Sequence, residues 1–161
     1  MKKFFLLIIC IVFLSGCAAE PLDGISDTLG GDVRGAELTY LTDSHGGFHG
    51  DGETVAMIRM TEVSAFLEDI QGSAYWHPLP LSENLSAAVY GWQTETEGFG
   101  PLFPEDMIPS VENGCWFFLD RHPEATDPAD DTDLHSRSSW NFTAAIFDAD
   151  TGILYYLELD T

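Results

Sequence analysis

The stretch from Trp140 to Leu159 constrains the fold more tightly than any other. Trp140 to Phe147 and Ile153 to Leu159 are two β-type runs joined by Asp148-Ala149-Asp150-Thr151-Gly152, and Gly152 is available for the φ > 0 position of a bulged turn. Strands joined by so short a connection pair antiparallel, so the sheet grows from a hairpin. Leu157 and Leu159 alternate with Tyr156 and Glu158, which assigns the two leucines to the core face.

The remaining elements follow from periodicity. Ala36 to Thr42 alternates as a strand. Glu53 to Met60 is a better one, with Val55, Met57 and Arg59 on one face and Ala56, Ile58 and Met60 on the other. Thr61 to Gln71 reads as a helix because Val63, Phe66, Leu67 and Ile70 recur at spacings of three and four, and Gly72 closes it. Ser82 can cap a short second helix with Leu85, Ala88 and Val89 facing inward. Cys115 to Arg121 is apolar without alternation, the pattern of a strand buried on both faces. Gly91–Asn113 and the acidic segment His122–Ser138 read as loops. The order β-β-α-α-β-β-β predicts an α+β fold: an antiparallel sheet of about five strands with two short helices on one face, in a single domain spanning 36–161.

The N-terminus has a different logic. Lys2 and Lys3 precede an unbroken apolar run from Phe4 to Leu14, followed by the small residues Ser15 and Gly16. This is the pattern of an export signal, and the run is too short to span a bilayer. Leu14-Ser15-Gly16-Cys17 resembles the lipobox of bacterial lipoproteins. The resemblance implies that residues 1–16 are a signal peptide and that Cys17 becomes the first mature residue, carrying acyl chains such as palmitate. Two such chains anchor a protein to a membrane without crossing it. The implied location is the extracytoplasmic face of a bacterial membrane; with Ala18 after the cysteine, the outer membrane is implied where the host has two. Residues 17–35 hold Pro21, four glycines and scattered acids, and read as a flexible lipidated tether. Beyond residue 35 the chain resembles only small uncharacterised bacterial lipoproteins, in its Gly-His loop and in Asp120-Arg121-His122, and that likeness implies no activity.

Charge narrows the partners. The whole chain carries a formal charge of −21, and both lysines leave with the signal, so the mature cations are Arg34, Arg59, Arg121 and Arg137 against 27 acids. Such a surface repels phosphates and anionic headgroups, which disfavours nucleic acid, nucleotides and anionic membranes. The partners left are the bilayer reached through the Cys17 acyl chains and a cationic protein or small-molecule ligand outside the cell. With Cys10 removed and Cys17 acylated, Cys115 is alone, and its apolar neighbours make it a buried small hydrophobe.

One constellation is dense enough to be a site. Asp43-Ser44-His45-Gly46-Gly47-Phe48-His49-Gly50-Asp51-Gly52 places two histidines and two aspartates in a glycine-rich loop. His45, His49, Asp43 and Asp51 are the candidate ligand-binding residues, and His45 and His49 the candidate metal ligands, since imidazole and carboxylate suit zinc or a similar divalent ion. The glycines exclude the helix that would bring the His45-x₃-His49 rings together, and the loop matches no phosphate-binding pattern. It also serves as a plain chain reversal. No other cofactor is expected. Arg121 and Arg137 are expected to pair with nearby acids, Asp127 to Asp133 to form a solvated loop, and Trp76, Trp92 or Phe99 to supply any exposed apolar patch. The functional expectation is a non-enzymatic binding or interaction module, with no catalytic residue assigned. The alternative is a hydrolase or metal-dependent enzyme using loop 43–52.

Overall fold

A computed structural model describes residues 21–46 and 50–161. The expected signal 1–16, Cys17 and its neighbours to Glu20, and the loop residues Gly47, Phe48 and His49 lie outside the described residues.

The chain runs α1 (Pro21–Leu29), β1 (Glu37–Asp43), β2 (Gly52–Arg59), α2 (Val63–Asp69), β3 (Trp76–Pro78), α3 (Glu83–Tyr90), β4 (Trp92–Gln93), β5 (Gly98–Phe99), β6 (Gly114–Asp120), β7 (Asn141–Asp148) and β8 (Ile153–Asp160). Among the described residues six strands form one antiparallel sheet in the order β1-β2-β8-β7-β6-β3, and β4 and β5 form a separate two-stranded ribbon. The C-terminal hairpin lies at the centre, with Ala145 opposite Tyr156 and Gly152 at φ 68° in its turn. Asp148 closes that turn by accepting from the backbone N–H groups of Asp150 and Thr151.

Both faces of this sheet are covered, which corrects the expectation of helices on one face. Ala56, Ile58, Phe117, Ala145, Phe147, Leu154 and Tyr156 pack beneath α1 and α2, against Ile25, Leu29, Phe66 and Ile70. Val55, Trp116, Phe118, Ala144, Ile146, Tyr155 and Leu157 pack on the other side against Leu85, Ala88 and Val89 of α3. There the long connections contribute Phe103, Ile108 and Leu134. Strands buried on both faces have no reason to alternate in polarity, which accounts for the continuous apolar runs in β6 and β7. Leu157 is buried and Leu159 half-buried on the α3 side, as expected, but Tyr156 is equally buried on the opposite face.

The tether expectation is corrected from Pro21 onward. Pro21 suits the first turn of a helix, where its missing N–H costs nothing, and Ile25 and Leu29 then fall one above the other. Both are buried, and so is Val33, whose N–H donates to Ser26 Oγ at 3.0 Å. Among the described residues the packed core therefore includes α1 and Val33, ahead of residue 36. The sheet has six strands among the described residues where about five were expected, the addition being β3: this short edge strand arises in the proline-containing stretch 76–80, and a proline is tolerated there because an edge leaves one side of the ladder unpaired. The two expected helices form as α2 and α3, and Ser82 caps α3 by accepting from the N–H of Leu85 at 3.0 Å.

Candidate functional site

The described part of the Gly-His loop sits at one end of the sheet, where β1, β2 and β8 finish together. Pairing places Asp43 opposite Thr54, Thr54 opposite Glu158, and Glu158 opposite Thr143, a polar row on the face that otherwise packs under α1. Asp160 and Gly52 form the next row outward.

His45 ties this row together. Its Nδ1 lies 2.8 Å from Asp43 Oδ1 and 3.2 Å from Thr54 Oγ1, and its Nε2 lies 3.2 Å from Asp160 Oδ2. The His45 backbone N–H also donates to Asp43 Oδ1 at 2.9 Å. These two contacts, the backbone one first, hold the Asp43 carboxyl below the ordinary carboxylate range.

Arg121 completes the network from the far side. It leaves the end of β6 and crosses β7, where its Nη2 donates to the carbonyl of Phe142 at 3.2 Å. Its Nη1 donates to Glu158 Oε1 at 2.7 Å, and its Nη2 lies 3.0 Å from Asp160 Oδ1. Its Nε and the buried Thr143 Oγ1 find no partner among the described residues. The Tyr156 hydroxyl donates to Glu158 Oε2 at 2.9 Å. Burial, and then the Glu158 charge, raise the Tyr156 pKa, so this hydroxyl stays protonated and serves as a donor.

The network borders a cavity of about 380 Å³ between α1 and the sheet end, lined by Ile25, Thr28, Asp43, Thr54, Tyr156 and Glu158 among others. Its wall is rich in acceptors. Among the described residues Arg121 is the arginine at this end of the sheet, and it already faces the Glu158 and Asp160 carboxylates.

The expected site residues are therefore only partly gathered. Asp43 and His45 are in contact. Asp51 instead lines a separate shallow depression with Ser44, Gly52 and Asp160. His49 lies outside the described residues. Among the described residues no group of three or more His, Cys, Asp or Glu is arranged to hold a metal ion. A metal on His45 would have to displace one of its two carboxylate contacts. Here a carboxylate faces each nitrogen, and the Thr54 hydroxyl shares a side with Asp43.

Arg121, Glu158, Asp160, Thr54 and Tyr156 were not among the expected site residues. Arg121 is foreshadowed only as an ion-pairing residue, and it does pair with acids. Arg137 likewise pairs with buried Asp120, which also accepts from the N–H of His122 at 2.8 Å, fastening the long acidic loop to β6. Within that loop Asp131 accepts from Ser82 and Asp130 from Thr132. Cys115 is half-buried, and burial pushes its thiol up to about 11. Trp76 is half-buried at the sheet edge and donates to the carbonyl of Leu29 at 2.9 Å. Trp92 and Phe99 face each other across the ribbon.

Comparison with protein-family models, with curated proteins and with solved structures gives no match for this chain. Fold and site together define its class: an acidic α+β domain with a carboxylate-rich cavity at one end of a covered antiparallel sheet.

Proposed function

We propose that the chain is a membrane-anchored extracytoplasmic lipoprotein that acts as a non-enzymatic binding module, with a small cationic molecule as its ligand. The observation that carries the ligand class is the cavity beside α1. Asp43 and Glu158 enter its wall, Tyr156 and two threonines add hydroxyls, and Arg121 is held back by Glu158 and Asp160. A donor-rich cation complements such a wall, whereas an anion meets like charge. The paired ring nitrogens of His45 favour binding over acid–base turnover. The export signal and the lipobox-like segment ending at Cys17 support the anchor, and α1 begins four residues later. The cavity is lined in part by α1, the first described element after Cys17 in the sequence.

Isothermal titration of spermidine into the full chain in detergent tests the binding reading. Saturable one-to-one binding is expected, weakened about tenfold in Asp43→Asn, because a charge-assisted hydrogen bond contributes on the order of 1.5–3 kcal/mol. Absence of saturable heat, or equal affinity in the variant, overturns it. Incorporation of labelled palmitate tests the anchor: label on the parent and none on Cys17→Ser supports it, and label on both, or on neither, refutes it.

A further inference from the structure

A second surface lies on the opposite face of the sheet, at the end of α3. Gly91 closes that helix at φ 73°, and a Cβ there would stand 2.8 Å from the backbone nitrogen of Pro101. Only glycine lets the chain reverse this tightly against 100–101 and emerge as the β4–β5 ribbon. In the ribbon Trp92 pairs with Phe99. Phe99 is fixed edge-on to Trp140, with centroids 5.3 Å apart, and to His135, at 4.4 Å. Trp92, across the ribbon, is 43% exposed, and Tyr90 is exposed to the same degree although its hydroxyl donates to the carbonyl of Pro109 at 3.1 Å.

Three adjoining hollows meet at these two aromatic rings. The largest, about 520 Å³, is lined by Tyr90, Trp92, Gln93, Phe99 and Pro101 together with glycines. A second, about 420 Å³, shares Trp92 and includes Glu83. A third, about 270 Å³, shares Tyr90 and Pro101 and includes Glu105 and Asp106. The result is a groove with an aromatic middle and carboxylates at both ends. Glu95 and Glu97 add negative charge at the ribbon turn.

No arginine neutralises this groove. Arg34 faces Asp23 and Asp27, Arg59 faces Glu37, Arg121 faces Glu158 and Asp160, and Arg137 faces Asp120. The sequence has no Lys or Arg between Arg59 and Arg121. His135, edge-on to Phe99, lies beside the groove.

We propose that this groove docks a basic peptide segment, with an arginine side chain stacked on the exposed Trp92 and Tyr90 and flanking cations meeting Glu83 at one end and Glu105 and Asp106 at the other. Guanidinium stacks on aromatic faces while forking to carboxylates, so one side chain type satisfies both features of the groove. The surface is independent of the cavity beside α1.

The test uses fluorescein-labelled hexa-arginine, read by anisotropy against the full chain in detergent at physiological salt. General attraction of a polycation to an acidic protein depends on charge and not on aromatic rings, which makes Trp92→Ala the informative variant. The expected result is saturable binding that weakens about tenfold in Trp92→Ala, weakens severalfold in Glu105→Gln/Asp106→Asn, and is unchanged in Asp43→Asn. The proposal is overturned if Trp92→Ala binds as the parent does, or if Asp43→Asn weakens binding as much as Trp92→Ala. It is also overturned if the parent binds neutral chitohexaose in place of hexa-arginine.

Discussion

Arg121 bridges three strands at the sheet end, and its removal leaves Glu158 and Asp160 facing each other without a cation. Breaking a fully buried pair costs about 3–5 kcal/mol, but these groups are roughly a quarter to a third exposed and solvent screens part of the effect. Arg121→Ala should therefore lower stability by about 1–3 kcal/mol in urea denaturation, and a change under about 0.5 kcal/mol would show the bridge to be idle. Asp43 makes a pH-dependent contribution with a definite sign. Its carboxyl is held below the ordinary range in the folded chain, so its stabilisation is present above that range and is lost as pH falls through the lowered value. The gap in urea midpoint between parent and Asp43→Asn should be full near pH 6 and close as pH falls below the ordinary carboxylate range; a gap that widens in acid would contradict this. At Cys115 the raised thiol pKa leaves little thiolate at pH 8, so iodoacetamide should label the Cys115 peptide roughly 100-fold more slowly in the folded chain than in urea. Mass spectrometry of that peptide reads the result, and equal rates would place the thiol in water.

At the scale of elements, α1 is the test of where the domain begins. Ile25 and Leu29 sit in the core beside Phe66 and Ile70, so Leu29→Ala should cost about 2–5 kcal/mol, whereas a residue in a tether would cost almost nothing. A midpoint unchanged by Leu29→Ala would return residues 21–35 to the tether. The glycines there suggest flexibility when the sequence is read locally, yet Gly31 is small for a packing reason: a Cβ on it would stand 2.7 Å from the Phe66 ring. That partner is distant in the chain, and no local pattern shows it. The hairpin β7–β8, the two faces of β2, the cap at Ser82 and the double burial of β6 were all legible, because each depends on near neighbours or on periodicity. The three-residue β3 was not, since Pro78 and Pro80 mask a strand whose pairing with β6 is decided by its edge position.

For the whole molecule, the two covered faces of the sheet carry two separate candidate binding surfaces. One is the cavity beside α1, and the other is the aromatic groove beyond α3. The candidate site was half legible. Asp43 and His45 stand out as loop residues, but Glu158, Asp160 and Arg121 read as ordinary strand ends until the sheet brings β1, β2, β6 and β8 together. A site assembled from strand ends is set by register, and register across β2 and β8 joins residues about a hundred positions apart. The most direct measurement of the central claim is an amide chemical-shift map of the domain titrated with spermidine. The account predicts saturable shifts at Thr28, Asp43, His45, Thr54 and Glu158, with little change at Trp92 and Phe99. Shifts spread evenly over the acidic surface, or none at those five residues, would contradict it.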